Sequence, residues 1–314
     1  MLSNFTVVIP AYQRMDMLSK RIKEIAPWSN LARIIISIDG LRKTADFQET
    51  ARRDEVIEFS EIAASENSQI VFKVWPENLG INSHVYRIFE TFGSDVPELI
   101  VIEEDVSIGM PGLQFLANGI SEKEVMATSA YVARNHYSME KEIFRRSLFP
   151  SQWGIAIKKQ IMMDYLNVIN TRKIDRSLIR DAFYRDFKNA LSVLELERLT
   201  QWWYNHFFFC ILHGNWADAI IQYCVLASGS HYRIPAQSLV TDMSPPGDKR
   251  ALTPRDTTAN VLSCLEGKRI PGTYEFECLK CELSNSHLPE ADFRTLLGAS
   301  KHHFKLKVLR RSSL

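Results

Sequence analysis

The chain has 314 residues, 46% hydrophobic and 24% charged, enough to bury one large core or two small ones. Lys and Arg number 38 against 37 Asp and Glu, and a formal charge of +1 excludes a general electrostatic pull toward nucleic acid. Five cysteines, an odd count, and the lack of any apolar run of membrane-spanning length predict reduced thiols and no transmembrane helix.

Met1-Leu2-Ser3-Asn4-Phe5 runs directly into Val7-Val8-Ile9, without a charged n-region or cleavage site. The expectation is no secretory leader and a cytoplasmic location. Residues 5–9 read as a strand closed by Pro10, and Met15, Leu18, Ile22 and Ile25 then recur at helical spacing. Residues 34–38 form a second strand ended by Asp39-Gly40, residues 47–64 a charged amphipathic helix, and residues 70–75 a third strand. Ile81, Val85, Ile88 and Phe89 mark another helix, which leads to Leu99-Ile100-Val101-Ile102. This alternation predicts an α/β fold with a mostly parallel central sheet covered by helices on both faces. Right-handed crossovers then carry the strand ends to one edge.

The fourth strand ends in Glu103-Glu104-Asp105. Three adjacent carboxylates repel one another, and they stand where open α/β sheets bind ligands. A divalent cation relieves that repulsion, and oxygen ligands suit Mn²⁺ or Mg²⁺. The plainer alternative is a charged turn that caps the strand. Pro10-Ala11-Tyr12-Gln13-Arg14, Asp39-Gly40 and Asn78-Leu79-Gly80-Ile81-Asn82 follow the first three strands and project from the same edge. Asp39 suits a base imide, Asn78 a base edge, and Arg14 a phosphate or the base. No G-x-G-x-x-G follows the first strand and no P-loop exists, so side chains and a metal would have to hold a nucleotide.

Further along, residues 125–132 and 152–157 read as strands, and residues 174–199 and 200–223 as helices broken near His213-Gly214-Asn215. Core packing is the expected use of the aromatic run from Trp202 to Phe209, with a sugar-stacking platform as the alternative. His206, His213 and His231 read as structural, while His136, beside Arg134 and Asn135 in a loop after a strand, is either an ordinary loop residue or one that reaches bound phosphates. Three prolines make residues 241–258 irregular, and Lys249 and Arg250 there are either lid residues or solvated charges. Cys278-x-x-Cys281, with Cys264 and His287, is spaced loosely for zinc, so free thiols are expected. The basic tail, residues 301–311, is either solvated or a peripheral membrane contact, at about 1 kcal/mol per basic residue near anionic lipid.

Thr6-Val7-Val8-Ile9-Pro10-Ala11-Tyr12-Gln13-Arg14, Ile36-Ser37-Ile38-Asp39-Gly40, Asn78-Leu79-Gly80 and Val101-Ile102-Glu103-Glu104-Asp105 occur in that order. Together they resemble the nucleotide-sugar half of GT-A glycosyltransferases, of the bacterial family 2 and N-acetylglucosaminyltransferase I-like kinds. The resemblance implies a GT-A (Rossmann-like) sheet with a helical C-terminal portion. It makes Glu103-Glu104-Asp105 the metal-binding DxD element, with Asp105 the principal metal ligand and Glu104 at the donor ribose or the metal's waters. It puts Asp39 on the base and Pro10, Tyr12, Arg14, Asn78, Gly80 and Glu103 around the nucleotide. Pro150 to Ile157 resembles the Trp-Gly strand beside the donor sugar, which implies Trp153 and Gly154. Asn215-Trp216-Ala217-Asp218 resembles the segment holding the catalytic Asp, and Tyr232 to Val240 the strand that follows. The family often has an acidic residue where this chain has Ala217, so Glu195, Glu197 and Asp181 stay as alternatives. Asp218 also fits an ordinary first-turn residue of a helix.

What the resemblance implies is a metal-dependent, inverting glycosyltransferase. It would move a sugar from a nucleoside diphosphate sugar, a UDP-sugar, to a hydroxyl of a free or lipid-linked glycan in surface polysaccharide synthesis. The implied organisation is 1–110 for the nucleotide-sugar half, 111–260 for the acceptor-binding and catalytic half, and 261–314 for an extension with the basic tail. A sugar-1-phosphate nucleotidyltransferase is the rival, although Ala11-Tyr12-Gln13-Arg14 lacks that group's glycines. A non-catalytic nucleotide- or sugar-binding module is the third reading.

Overall fold

Strands buried on both faces need near-continuous aliphatic runs, and residues 7–9, 34–38 and 99–102 supply three of them. The computed structural model describes residues 4–131, 144–147, 153–188, 192–213, 216–235 and 238–243. Its N-terminal part runs β1 (Phe5–Ala11), α1 (Met15–Ile25), β2 (Leu31–Ile38), α2 (Phe47–Glu66), β3 (Ile70–Val74), α3 (Gly80–Phe92), β4 (Glu98–Val101), β5 (Val106–Ile108) and α4 (Met110–Ser121). It continues with β6 (Ala127–Ser129), β7 (Phe144–Ser147), β8 (Ile155–Lys158), α5 (Lys159–Thr171), α6 (Arg176–Phe187), α7 (Val193–His213), α8 (Ala217–Ala227), β9 (Tyr232–Pro235) and β10 (Val240–Asp242).

Eight strands form one sheet in the order β3-β2-β1-β4-β8-β6-β9-β7, while β5 and β10 pair separately and antiparallel. β3, β2, β1 and β4 are mutually parallel, β8 runs against β4 and β6, and β7 runs against β9. The fold is therefore α/β, with a mostly parallel central sheet flanked by helices. The sheet passes without a break across residue 110, because β4 pairs with β8 from Leu99↔Ile157 to Val101↔Ile155.

Side-chain alternation along the strands splits the core in two. Val7, Ile9, Ile36 and Ile100 pack with Leu18 of α1, Val56 of α2 and Leu116 of α4. Val8, Ile35, Leu99 and Val101 pack on the other face with Phe89 of α3, Tyr165 of α5, Phe183 of α6 and Trp203 of α7. β2 and β3 lie to one side of β1 and β4 to the other, so the chain reverses its direction of winding between β1 and β4. Open α/β sheets bind ligands in the crevice at that reversal.

Several predicted boundaries move. Instead of helices over 174–199 and 200–223, α6, α7 and α8 occur. α7 crosses residue 200 because buried Leu196, Leu199, Trp203, Phe207 and Cys210 form one apolar stripe at three- and four-residue spacing. Trp203 and Phe207 of the aromatic run are fully buried, as core packing requires. α4 went unpredicted although Leu113, Leu116, Ala117 and Ile120 carry the helical period. Cys210 and Cys224 are buried, and neither is in a disulfide. Arg134, Asn135, His136, Lys249, Arg250, the Cys-x-x-Cys, residues 150–152 and the basic tail lie outside the described residues. No helix among those described is long and apolar enough to cross a membrane.

Candidate functional site

The crevice is built from the carboxyl ends of β1 and β4. Ile102 prolongs β4 by donating its N–H to Val8 O at 3.0 Å, and a turn closed by Val106 N to Glu103 O at 3.1 Å then presents the three acids. Arg14, at the N-cap of α1 and only 6% exposed, pairs its guanidinium with Asp105, and its Nη1 stands 3.7 Å from Glu104 Oε1. Burial pushes the Glu103 carboxyl well up, and the charges of Asp105, Asp218 and Glu104 push it the same way. Arg21, on the apolar stripe of α1, pairs with Glu24 and donates to Val106 O at 3.0 Å. Glu24 also accepts from Ser107 Oγ at 3.0 Å and Ile108 N at 3.1 Å, so α1 is fastened to the segment that follows the acids.

At the end of β2, Asp39 is buried and its carboxylate is filled. It accepts from Gly40 N and Leu79 N on one oxygen, both at 2.8 Å, and from Gly80 N at 3.0 Å and Asn78 Nδ2 at 3.1 Å on the other. Four N–H donors occupy about all the lone-pair positions of a carboxylate. The group predicted to meet a base thus holds together the turn that starts α3, and Gly80 enters that turn at φ +66°. Gly40 lies so close to this turn that an added Cβ would stand 2.1 Å from Glu77 C and 2.6 Å from Asn78 N. Gly40→Ala must therefore force the β2 and β3 ends apart. It is expected to cost about 3 kcal/mol or more in denaturant unfolding, and a cost under ~0.5 kcal/mol would contradict the close approach.

A second cluster lies beside Tyr12. The Tyr12 hydroxyl donates to buried Glu49 in the first turn of α2, and Arg42 grips the same carboxylate with Nε at 2.8 Å and with Nη2. Arg42 and Tyr12 hold the Glu49 carboxyl below its ordinary range despite burial, and burial with Glu49 nearby raises the Tyr12 hydroxyl. The sequence reading missed Glu49, Arg42 and Arg53, whose Nε donates to Asp39 O at 2.8 Å. The signal was there: the buried stripe of α2 runs Glu49, Arg53, Val56, Ser60, Ala63, a helical period whose first two members are charged. Glu49→Ala should strip Tyr12 of its acceptor and release Arg42, at ~1–3 kcal/mol of stability by chemical denaturation.

Trp153 packs against Tyr131 with ring centroids 4.8 Å apart, and the Gly154 carbonyl accepts from Ala130 N at 2.8 Å. Ala130 O in turn accepts from Leu239 N at 2.9 Å, which brings the 239–243 segment alongside. Met243 N then donates to Asp105 O at 2.8 Å. Asp218 occupies the first turn of α8. The residue is exposed, yet the protein around its carboxyl displaces enough water to push it up to about 6. Its charge is felt at Glu103 and at buried Tyr165. Of the alternatives, Asp181 pairs with Arg180 on the surface of α6, and Glu197 pairs with Arg176 between α6 and α7. The side chain of Glu195 lies outside the described residues. His231 pairs with Asp186 at 2.9 Å and His206 lies 3.7 Å from Cys210 Sγ, both within the scaffold.

Solved structures to which the chain is distantly similar include the following. A mannosyltransferase from Pyrobaculum calidifontis, solved with GDP-mannose and Mn²⁺, aligns over 97% of this chain and 86% of its own at 11% identity, with a TM-score of 0.39. Glucosyl-3-phosphoglycerate synthase from Mycobacterium tuberculosis, bound to phosphoglyceric acid, aligns over 58% of this chain and 66% of its own at 12% identity and a TM-score of 0.36. The same synthase with Mn²⁺, UDP and glucosyl-3-phosphoglycerate aligns over 66% and 79% at 11% identity and a TM-score of 0.36. No protein-family model and no curated protein matches the chain.

Among the described residues no three His, Cys, Asp or Glu side chains form a ready cage for a metal ion. A cation shared with a diphosphate needs no such cage, since one or two carboxylates plus phosphate oxygens suffice. The all-oxygen donor set of Glu104 and Asp105, whose positive partner here is the Arg14 guanidinium, fits a hard divalent cation of that kind.

Proposed function

We propose that the protein is a metal-dependent, inverting GT-A glycosyltransferase that takes a sugar from a nucleoside diphosphate sugar, a UDP-sugar, and places it on a hydroxyl of a free or lipid-linked glycan. One observation carries this reading: Asp218, more than a hundred residues beyond the acid triplet, stands close enough for its charge to act on Glu103, and the N–H of the preceding Ala217 is held by Asn82 in the first turn of α3 at 3.0 Å. Asp105, with Glu104, would hold Mn²⁺ or Mg²⁺, which when bound supplies positive charge to the departing diphosphate. Arg14 would pass from Asp105 toward the phosphates. Pro10, Tyr12, Asn78 and Gly80 would line the nucleotide, and Asp39 would serve by holding the turn of Asn78 and Gly80. Trp153 and Gly154 would flank the donor sugar.

In the transfer, the acceptor oxygen bonds to the anomeric carbon while the bond from that carbon to the diphosphate oxygen breaks. Asp218 takes the hydroxyl proton as the new bond forms. A carboxyl with a pKa of about 6 is a stronger base than an ordinary Asp and is still ionised at neutral pH. Peripheral attachment through residues 301–311 belongs to the same proposal.

The test is a panel of UDP-glucose, UDP-galactose, UDP-N-acetylglucosamine and GDP-mannose, with and without Mn²⁺, read by release of UDP or GDP. Mn²⁺-dependent release from one of them supports the reading. Pyrophosphate formed from UTP and a sugar 1-phosphate would assign the protein to nucleotidyl transfer instead. Nucleotide binding with no turnover of any donor would make it a binding module.

A further inference from the structure

The first N–H groups of a helix have no acceptor within it, and a cap usually supplies one. Trp216, at the N-cap of α8, offers no side-chain acceptor. The Ala217 N–H goes instead to Asn82 Oδ1 in the first turn of α3, at 3.0 Å across 135 positions of sequence. Asn82 is itself held, since its carbonyl accepts from the Tyr165 hydroxyl of α5 at 3.5 Å. The turn leading into α3 is fixed in turn by Asp39, through Leu79 N and Gly80 N. Hydrogen bonds at either end of the short backbone stretch from Gly80 to Asn82 therefore link the end of β2 to the residue just before Asp218.

We propose that Asn82 is a positioning residue: it borrows the start of α8 for the nucleotide half of the molecule and thereby sets Asp218 at its distance from the crevice. This rests on the reading of Asp218 as the base. Packing alone does not require the bond, because α8 buries Ala219, Ile220, Tyr223 and Cys224 whatever Asn82 does. A one-ångström misplacement of a reacting group costs on the order of 10²-fold in rate. Asn82→Leu keeps the side-chain size and removes the acceptor, whereas Asn82→Asp retains it.

The experiment compares wild type, Asn82→Leu, Asn82→Asp and Asp218→Asn on whichever of the four panel donors the wild type turns over fastest. Amide hydrogen exchange at Ala217 is measured in parallel. In Asn82→Leu the Ala217 amide should lose protection and kcat should fall on the order of 10²-fold, with the KM for the donor within about threefold of wild type. Asn82→Asp should restore Ala217 protection and most of kcat. Full turnover in Asn82→Leu beside an inactive Asp218→Asn would overturn the tether and leave the base assignment standing. Equal losses in kcat and donor affinity, with no recovery in Asn82→Asp, would reduce Asn82 to a folding residue. An Asp218→Asn protein as active as wild type would remove the base reading itself, and this inference with it.

Discussion

Asp105→Asn should abolish Mn²⁺-dependent binding of UDP, with an affinity loss on the order of 10²–10³-fold by calorimetry, because a metal bridge to a diphosphate contributes several kcal/mol. Asn rather than Ala is the informative replacement. Arg14 is almost buried and Asp105 is its close partner, with Glu104 the next carboxylate at 3.7 Å. Removing one member of a buried pair costs roughly 3–5 kcal/mol, and somewhat less here because Asp105 is 19% exposed. Asp105→Ala would therefore confuse loss of binding with loss of folding, whereas Asn keeps the shape and an acceptor for Arg14. Unchanged UDP affinity in the presence of Mn²⁺ would place the cation elsewhere.

Asp218→Asn should retain nucleotide affinity and lose transfer by ~10²–10⁴-fold, the usual contribution of a general base. In the wild type the rate should climb with pH through about 6, as the Asp218 carboxyl ionises, and level off above. That limb should vanish in Asp218→Asn. Stability should move the other way. A carboxyl whose pKa is raised on folding stabilises the fold fully below its unfolded value of about 3.9, and that contribution is lost as pH rises through the folded value. The neutral Asn variant should consequently melt slightly higher than wild type at pH 7.5 and equally below about pH 4. Since water reaches the carboxyl, screening keeps this difference small. A variant that melts lower at pH 7.5 would contradict the raised pKa.

The sheet was legible in the sequence because buried parallel strands leave aliphatic runs, as β1, β2 and β4 do, while the edge strand β3 shows apolar residues alternating with an exposed Lys73. The acid triplet was legible because charge at the end of such a run has no packing reason. β5, β7 and β10 were not, since Val106-Ser107-Ile108, Phe144-Arg145-Arg146-Ser147 and Val240-Thr241-Asp242 hold no two adjacent aliphatic residues. The Asp39 carboxylate illustrates a subtler limit. Its residue type and its place after β2 suggested recognition of a base, yet four N–H groups from its own chain converge on it. Sequence gives a group's hydrogen-bonding capacity but not how much of it the fold has already used. Glu49 is the converse, a carboxylate that a helical wheel would have drawn facing the sheet.

Met243 gives its N–H to Asp105, and Val240 pairs with Ile108. The acidic edge is thus completed by the last described strand, far downstream of the residues it completes. A nascent chain leaving the ribosome can form β1 to β4 early, but the backbone of Asp105 gains this partner only after residue 243 has emerged. Until β8 has emerged, β4 also displays an open aliphatic edge, the kind that pairs with strangers. Competence for ligand should therefore arrive late in synthesis, once residue 243 is in place.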